Sequence, residues 1–95
     1  MNSSRYTVQY FVNNKMTATL EHCTAEQAYK EGVPGEAMQP FENNRWHVLL
    51  RYAALPRLAN LEPGQSLPVA WQDPSPHNPT YYDVERILIV REYDM

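Results

Sequence analysis

Short segments in which apolar and polar residues alternate recur along this chain, and most connections between them are too short to contain a helix. The first two are Arg5–Val12 and Lys15–Glu21. A period of two places the apolar side chains on one face of an extended strand. Parallel strands need a crossover of a dozen or more residues, so strands joined this closely pair antiparallel. The pattern predicts an antiparallel or mixed β-sheet.

Two asparagines follow Val12 and predict a tight hairpin, because asparagine tolerates a positive φ. Two registers fit this hairpin. A three-residue loop pairs Val12 with Met16 and Val8 with Leu20, which the hydrophobic pattern favours. A two-residue turn places Phe11 opposite Met16 instead, which the turn chemistry favours. The sequence leaves both open.

The segment that begins at Thr24 carries the signals of a helix start. Thr24 as N-cap and Gln27 three residues later form a capping-box pattern. Gly32 is placed to follow the helix at its C-terminus, and Pro34 prevents continuation. We therefore expect a helix of roughly two turns.

The assignment of the middle of the chain is ambiguous. Alternation over Arg45–Tyr52 predicts a third strand. Residues Val48–Leu55 fit a helix as an alternative, because they include good helix formers at helical spacing. Pro56 is expected to end either element.

Two further strands complete the pattern. Leu67–Trp71 alternates, and Pro68 within it predicts an edge position because proline cannot donate to a ladder. The final segment, Tyr82–Tyr93, contains the run Ile87–Val90, which is apolar on both faces as expected of a central strand. The connections predicted around these elements are type II turns at Val33–Glu36 and Glu62–Gln65 and a proline-rich loop over Asp73–Pro79.

The sequence thus predicts an α+β fold with about five strands and one short helix, in the order β-β-α-β-β-β, as a single domain over residues 1–95. Two helical turns are about 12 Å long, whereas five strands span about 24 Å. One helix cannot cover such a sheet, so part of an apolar face is left for other contacts. The candidates for that face are Phe11, Leu49, Ile87 and Ile89.

Charge and cysteine content limit the classes of partner and compartment. The formal net charge is -3, which argues against broad charge-driven binding to nucleic acid or anionic membranes. Cys23 is the single cysteine, so no intramolecular disulfide can form. No apolar run of spanning length occurs. We expect a cytoplasmic protein without a membrane partner.

The chain has few residues that could carry chemistry. His22, His47, His77 and Cys23 are the only soft metal ligands, and their spacing matches no zinc or redox motif. No nucleophile elbow or phosphate-binding glycine loop is present. We expect no metal, no cofactor and no enzymatic activity.

Binding is the remaining class of function. The first hypothesis is a stoichiometric protein–protein interaction module, an inhibitor, adaptor or accessory factor, whose partner is another protein or a second copy of the chain. The candidate protein-binding residues are Phe11, Leu49, Ile87, Ile89, Tyr81 and Tyr82. The alternative is a nucleic-acid-binding regulator that uses one strand face. Its candidate residues are Arg45, His47 and Arg51.

In its small size and lack of motifs, the chain resembles the accessory proteins that phages and plasmids carry, among them inhibitors of host defence. No shared motif supports this general similarity, and it assigns no role to any residue.

Overall fold

The computed structural model describes residues 4–12, 14–33, 46–72 and 85–93 of the chain. It confirms a small α+β fold, with elements in the order β-β-α-β-α-β-β. The strands are β1 (Tyr6–Val12), β2 (Lys15–Cys23), β3 (Trp46–Val48), β4 (Ser66–Gln72) and β5 (Arg86–Arg91), and the helices are α1 (Ala25–Gly32) and α2 (Arg51–Ala59). The predicted turn at 33–36, apart from Val33, and the predicted loop at 73–79 lie outside the described residues.

The five strands form one antiparallel sheet in the order β2-β1-β5-β4-β3. The strand β5, with its run Ile87–Val90, is central, as its apolar character on both faces predicts. The strand β4 is not an edge strand, so the prediction from Pro68 is wrong. The short β3 pairs only with Ala70–Gln72, and Pro68 therefore lies where β4 has no ladder partner on that side.

The β1–β2 hairpin combines the two predicted registers. Near the turn, Phe11 faces Met16, as a two-residue connection requires, and Asn14 has a φ of 63°. Further along, Val8 faces Leu20, as the hydrophobic pattern requires. A β-bulge next to Tyr10 absorbs the extra residue between these two pairings.

The helix α1 begins as predicted, but Gly32 has a different role. Thr24 and Gln27 form both hydrogen bonds of the capping box, at 3.1 and 3.2 Å. Gly32 is still helical and packs against the sheet. A Cβ atom at Gly32 would lie 3.4 Å from side-chain carbons of Val8, Val69 and Ile87. The glycine therefore permits close approach of α1 to the sheet.

The helix α2 resolves the ambiguity in the middle of the chain. Among the described residues of the strand predicted over Arg45–Tyr52, only β3 is extended in the sheet, and a helix begins at Arg51. Pro56 lies inside this helix, so the prediction that it ends the element is wrong. Proline has no N–H to donate to the Tyr52 carbonyl, and Tyr52 lies on the exposed side of the helix, with 77% of the residue exposed. Fully buried Leu58 offsets much of the proline penalty.

Both helices pack on the same face of the sheet and enclose one core. The fully buried side chains of this core include Val8, Leu58 and Ile89. The Tyr6 hydroxyl, also buried, donates to the Leu58 carbonyl at 3.0 Å and so ties β1 to α2. The Tyr10 hydroxyl donates in the same way from β1 to a carbonyl of α1. Neither helix in the described ranges is long and apolar enough to span a bilayer.

Candidate interaction surface

The face of the sheet opposite the helices is covered by neither of the two described helices. We call it the helix-free face. Strand alternation and register place on it side chains from all five strands. They are Thr7, Gln9, Phe11, Met16, Thr19, His47, Ser66, Pro68, Trp71, Arg86, Leu88 and Val90.

Five of these side chains form a continuous line across the sheet, which we call the cross-strand row. Each member lies directly opposite the next on the neighbouring strand, in the order Met16, Phe11, Arg86, Trp71 and His47. The Arg86 guanidinium lies 4.6 Å from the centre of the Phe11 ring. The His47 and Trp71 rings stack with centres 5.7 Å apart and planes inclined by 21°. The row is thus a series of flat groups ended by a flexible thioether.

The members of the row are accessible to different degrees. Met16 is 52% exposed and Trp71 is 36% exposed, and His47 is also exposed. Phe11 and Arg86 are half-buried because they cover each other at the centre of the row. An aromatic group and a cation stacked in this way are held in fixed orientations, so little side-chain entropy remains to be lost on binding.

The two terminal nitrogens of Arg86 have different surroundings. Nη2 donates to the side-chain oxygen of Asn14 at 2.8 Å, which fixes the guanidinium next to the hairpin turn. Nη1 is covered and has no hydrogen-bond partner within the described ranges. A covered donor on a cationic group is costly when no acceptor faces it. The centre of the row therefore carries hydrogen-bonding capacity that the described fold does not use.

A polar cluster occupies the opposite end of the helix-free face. The Glu92 carboxylate accepts hydrogen bonds from the His22 backbone N–H at 2.6 Å and from the Thr7 hydroxyl at 2.8 Å. Its other oxygen lies 2.8 Å from His22 Nδ1. Burial alone would raise the pKa of Glu92, but these hydrogen bonds and the His22 ring hold that pKa below its usual value. His22 itself has a φ of 61°, which directs its backbone N–H at the carboxylate.

The structure separates the residues that the sequence suggests for protein binding. Phe11 lies on the helix-free face, in the cross-strand row. Ile87 and Ile89 lie on the opposite face, beneath the helices, and are 4% and 0% exposed. Their expected position on an uncovered face is therefore wrong, since they alternate with Arg86 and Leu88 along β5. Leu49 is half-buried against the core. The remaining two, Tyr81 and Tyr82, lie outside the described residues.

The residues suggested for nucleic-acid binding do not share a strand face. His47 is on β3 and belongs to the cross-strand row. Arg51 is the first residue of α2, on the helix layer, and its guanidinium lies 4.0 Å from the Glu26 carboxylate of α1. Arg45 lies outside the described residues.

Sequence reasoning missed Met16, Trp71 and Arg86 as surface candidates. Arg86 could have been predicted, because alternation along β5 places it on the face opposite Ile87. The meeting of Arg86 with Trp71 was not predictable, because it depends on the order of β5 and β4 in the sheet and on the bulge after Pro68.

The described residues offer little for metal or thiol chemistry. They contain no group of three or more His, Cys, Asp or Glu side chains that could hold a metal ion. Cys23 is a free, buried thiol. Burial raises its pKa, and the nearby carboxylates of Glu31 and Glu92 raise it further. The thiol therefore stays protonated at neutral pH, the form that is a poor nucleophile.

Comparison with protein-family models, with characterised proteins and with solved structures gives no match for this chain.

Proposed function

We propose that this protein is a stoichiometric protein-binding module, an inhibitor, adaptor or accessory factor, that contacts another protein through its helix-free face. The observation that supports this proposal is the cross-strand row. Tryptophan and arginine are the residue types most enriched among binding hot spots, and Trp71 and Arg86 lie side by side in this row.

The dimensions of the face suit this proposal. Five strands spaced about 4.8 Å apart give a width of about 24 Å, and a seven-residue strand has a similar length. The projected area is therefore about 500 Å², which is of the same order as the ~800 Å² that each partner buries in a standard interface. The aliphatic Leu88, the neutral polar Gln9 and the hydroxyl of Thr7 surround the row with few charges. Few charges at the centre of a patch are typical of protein interfaces.

The proposal includes a cytoplasmic location and no catalytic activity. The free, protonated thiol of Cys23 is compatible with a reducing compartment. An accessory protein of a mobile genetic element that inhibits a host system is one form that such a module takes.

The test is affinity capture from a nuclease-treated lysate followed by reconstitution of the complex from purified components. Trp71→Ala removes a large exposed ring of the face. Tyr52→Ala is the matched control, because Tyr52 is 77% exposed but belongs to α2. We expect one protein to bind with fixed stoichiometry, with Trp71→Ala weakening the purified complex at least tenfold and Tyr52→Ala leaving it unchanged. Equal affinities for the two variants, or no stoichiometric partner, would contradict the proposal.

A second candidate function is binding of single-stranded nucleic acid on the same face. The stacked His47 and Trp71 rings favour it, because exposed aromatic rings on a sheet can stack with bases. The net charge of -3 and the single arginine in the row count against it. Titration of tryptophan fluorescence, which Trp46 and Trp71 both supply, with single-stranded oligonucleotides at low salt separates the two functions. Saturable quenching that His47→Ala weakens and added salt reverses would favour nucleic acid.

A further inference from the structure

Arg86 is the one permanently charged side chain among those that strand register places on the helix-free face, and it lies at the centre of the cross-strand row. By alternation along β5, the adjacent Glu85 is directed to the opposite face. The carboxylates of Glu21 and Glu92 lie at the other end of the sheet, beside His22 in the polar cluster. Within the described residues, the charge of Arg86 therefore has no counter-ion on this face.

The guanidinium of Arg86 has only one neutral hydrogen-bond acceptor at its two terminal nitrogens. Nη2 donates to the Asn14 side-chain oxygen at 2.8 Å, whereas Nη1 has no acceptor among the described residues. Asn14 is an exposed residue of the hairpin turn, so its side chain can move aside without disturbing the core. A carboxylate that replaces this amide has two oxygens, one for each terminal nitrogen, which is the paired geometry that arginine forms with carboxylates.

Docking of a partner on the row changes the surroundings of this cation. Arg86 is half-buried in the free protein, and a partner that covers the row removes its remaining contact with water. Burial of a cation is strongly unfavourable unless a group of opposite charge pairs with it. The Asn14 amide is neutral, and the Phe11 ring supplies only a cation–π contact. A partner that docks here must therefore bring a negative group to Arg86.

We propose that the partner protein places the carboxylate of an aspartate or glutamate side chain on Arg86, where it displaces the Asn14 amide. This inference rests on the proposed docking of a protein on the helix-free face and adds the chemistry of the group that binds at its centre. The rings of Phe11 and Trp71 flank Arg86 in the row and exclude water from the charge pair, which strengthens it. A run of nucleic-acid phosphates needs several cations, and the row contains one arginine.

The first test uses naphthoate as a probe and naphthamide as its neutral control, because the two molecules share a flat ring and differ in charge. Binding to the purified full-length chain is followed by NMR at low ionic strength, through the Arg86 Nε–H and the Trp71 indole N–H signals. We expect naphthoate to bind about threefold or more tightly than naphthamide at these signals. The net charge of -3 opposes this preference, so a general attraction of anions cannot produce it. Equal affinities overturn the inference.

Three variants locate the charge that binds the probe. Arg86→Met should abolish the preference for naphthoate. Asn14→Asp should also abolish it, because the new carboxylate pairs with Arg86 within the chain, and aspartate tolerates the φ of 63° at this position. Arg57→Met removes the same charge from an exposed position of α2 and should leave the preference unchanged. A preference that survives Arg86→Met or Asn14→Asp, or that Arg57→Met removes, overturns the inference.

The purified partner complex supplies the second test and separates this inference from the proposed function. Arg86→Met should weaken the complex severalfold and make its affinity less dependent on salt, whereas Trp71→Ala should weaken it without changing the salt dependence. If the complex forms and depends on Trp71, but its salt dependence is the same in Arg86→Met, docking stands and the carboxylate is wrong. If naphthoate is preferred but no protein partner binds, the proposed function and the partner assignment both fail. Binding of a single-stranded oligonucleotide in place of a protein, lost in Arg86→Met, assigns the cation to nucleic acid and also overturns the inference.

Discussion

The covered and helix-free faces of the sheet differ in how their side chains are used. On the covered face, Val8 and Ile89 are fully buried, and Gly32 lets α1 approach within van der Waals distance. On the helix-free face, the neighbouring Leu88 and Val90 are only half-buried. The covered face therefore supplies most of the hydrophobic stabilisation, whereas the other face keeps apolar and flat groups accessible. Substitutions on the two faces should therefore change stability by different amounts.

The largest expected effect comes from Ile89→Ala compared with Val90→Ala. These residues are adjacent in β5 but point to opposite faces. Ile89→Ala leaves a cavity in the core and should lower the free energy of unfolding by about 3 kcal/mol. Val90→Ala should lower it by about 1 kcal/mol or less, because water already reaches this side chain. Urea unfolding of the two variants measures both values.

Equal losses for the two variants would show that the helix-free face is as tightly packed as the covered one. That result would also weaken the proposed function, because a packed face cannot serve as a docking surface. The slope of the denaturant dependence should be the same in both variants, since neither changes the surface exposed on unfolding.

The next effect concerns the hydrogen bond that fastens α2 to the covered face. Tyr6→Phe removes the hydroxyl that donates to the Leu58 carbonyl and leaves this buried carbonyl without that partner. Burial raises the pKa of Tyr6, and Arg91 opposes this only in part, so the hydroxyl is protonated at neutral pH. We expect a loss of about 1 to 2 kcal/mol in the free energy of unfolding.

The control for Tyr6→Phe is Tyr52→Phe, which removes a hydroxyl from the exposed side of α2. It should change the free energy of unfolding by less than about 0.5 kcal/mol. If Tyr6→Phe is equally neutral, the Tyr6–Leu58 hydrogen bond does not stabilise the packing of α2.

The parts of the fold that the sequence predicts correctly depend on residues close together in the chain. The capping box needs only Thr24 and Gln27, and both its hydrogen bonds are present. The turn at Glu62–Gln65 needs only a residue that accepts a positive φ, and Gly64 has a φ of 88°. Local hydrogen bonds and backbone preferences determine these features, so four residues suffice to predict them.

The failures concern contacts between distant parts of the chain. Pro68 cannot donate a hydrogen bond to a neighbouring strand. This does not make β4 an edge strand, because β3 is too short to reach Pro68. Pro56 disfavours a helix, but the burial of Ala54 and Leu58 against the sheet outweighs that preference. The cross-strand row is visible only once the strand order is known. Tertiary packing determines each of these features, and a local sequence pattern does not predict tertiary packing.

A smaller effect is expected at the polar corner of the helix-free face. The pKa of Glu92 is lowered in the folded state from an ordinary value of 4.5. The stabilisation from the Glu92 carboxylate is therefore present above about pH 5 and is lost as the pH falls through the folded-state pKa. Glu92→Gln should lower the free energy of unfolding by about 1 kcal/mol at pH 7, and the difference from the wild type should shrink below about pH 4.

Thermal unfolding from pH 3 to 7 checks this pH dependence, with Glu62→Gln at an exposed turn as the control. A difference between Glu92→Gln and the wild type that stays constant with pH would mean that the charge on Glu92 is not what stabilises the corner.

The smallest effect on stability is expected at the centre of the cross-strand row. Arg86→Met keeps the length of the side chain and its contact with the Phe11 ring, but removes the hydrogen bond to Asn14 and the unpaired Nη1. The lost hydrogen bond and cation–π contact are each worth about 0.5 kcal/mol at this partly exposed site, and relief of the covered donor is worth about 1 kcal/mol with opposite sign. The free energy of unfolding should therefore change by less than about 0.5 kcal/mol.

Arg86 would then be a cation that the fold does not need for stability. The same variant should weaken the purified partner complex severalfold. A stability loss above about 2 kcal/mol would instead assign Arg86 to the fold, because no large stabilising contact of its side chain other than Phe11 and Asn14 is seen among the described residues.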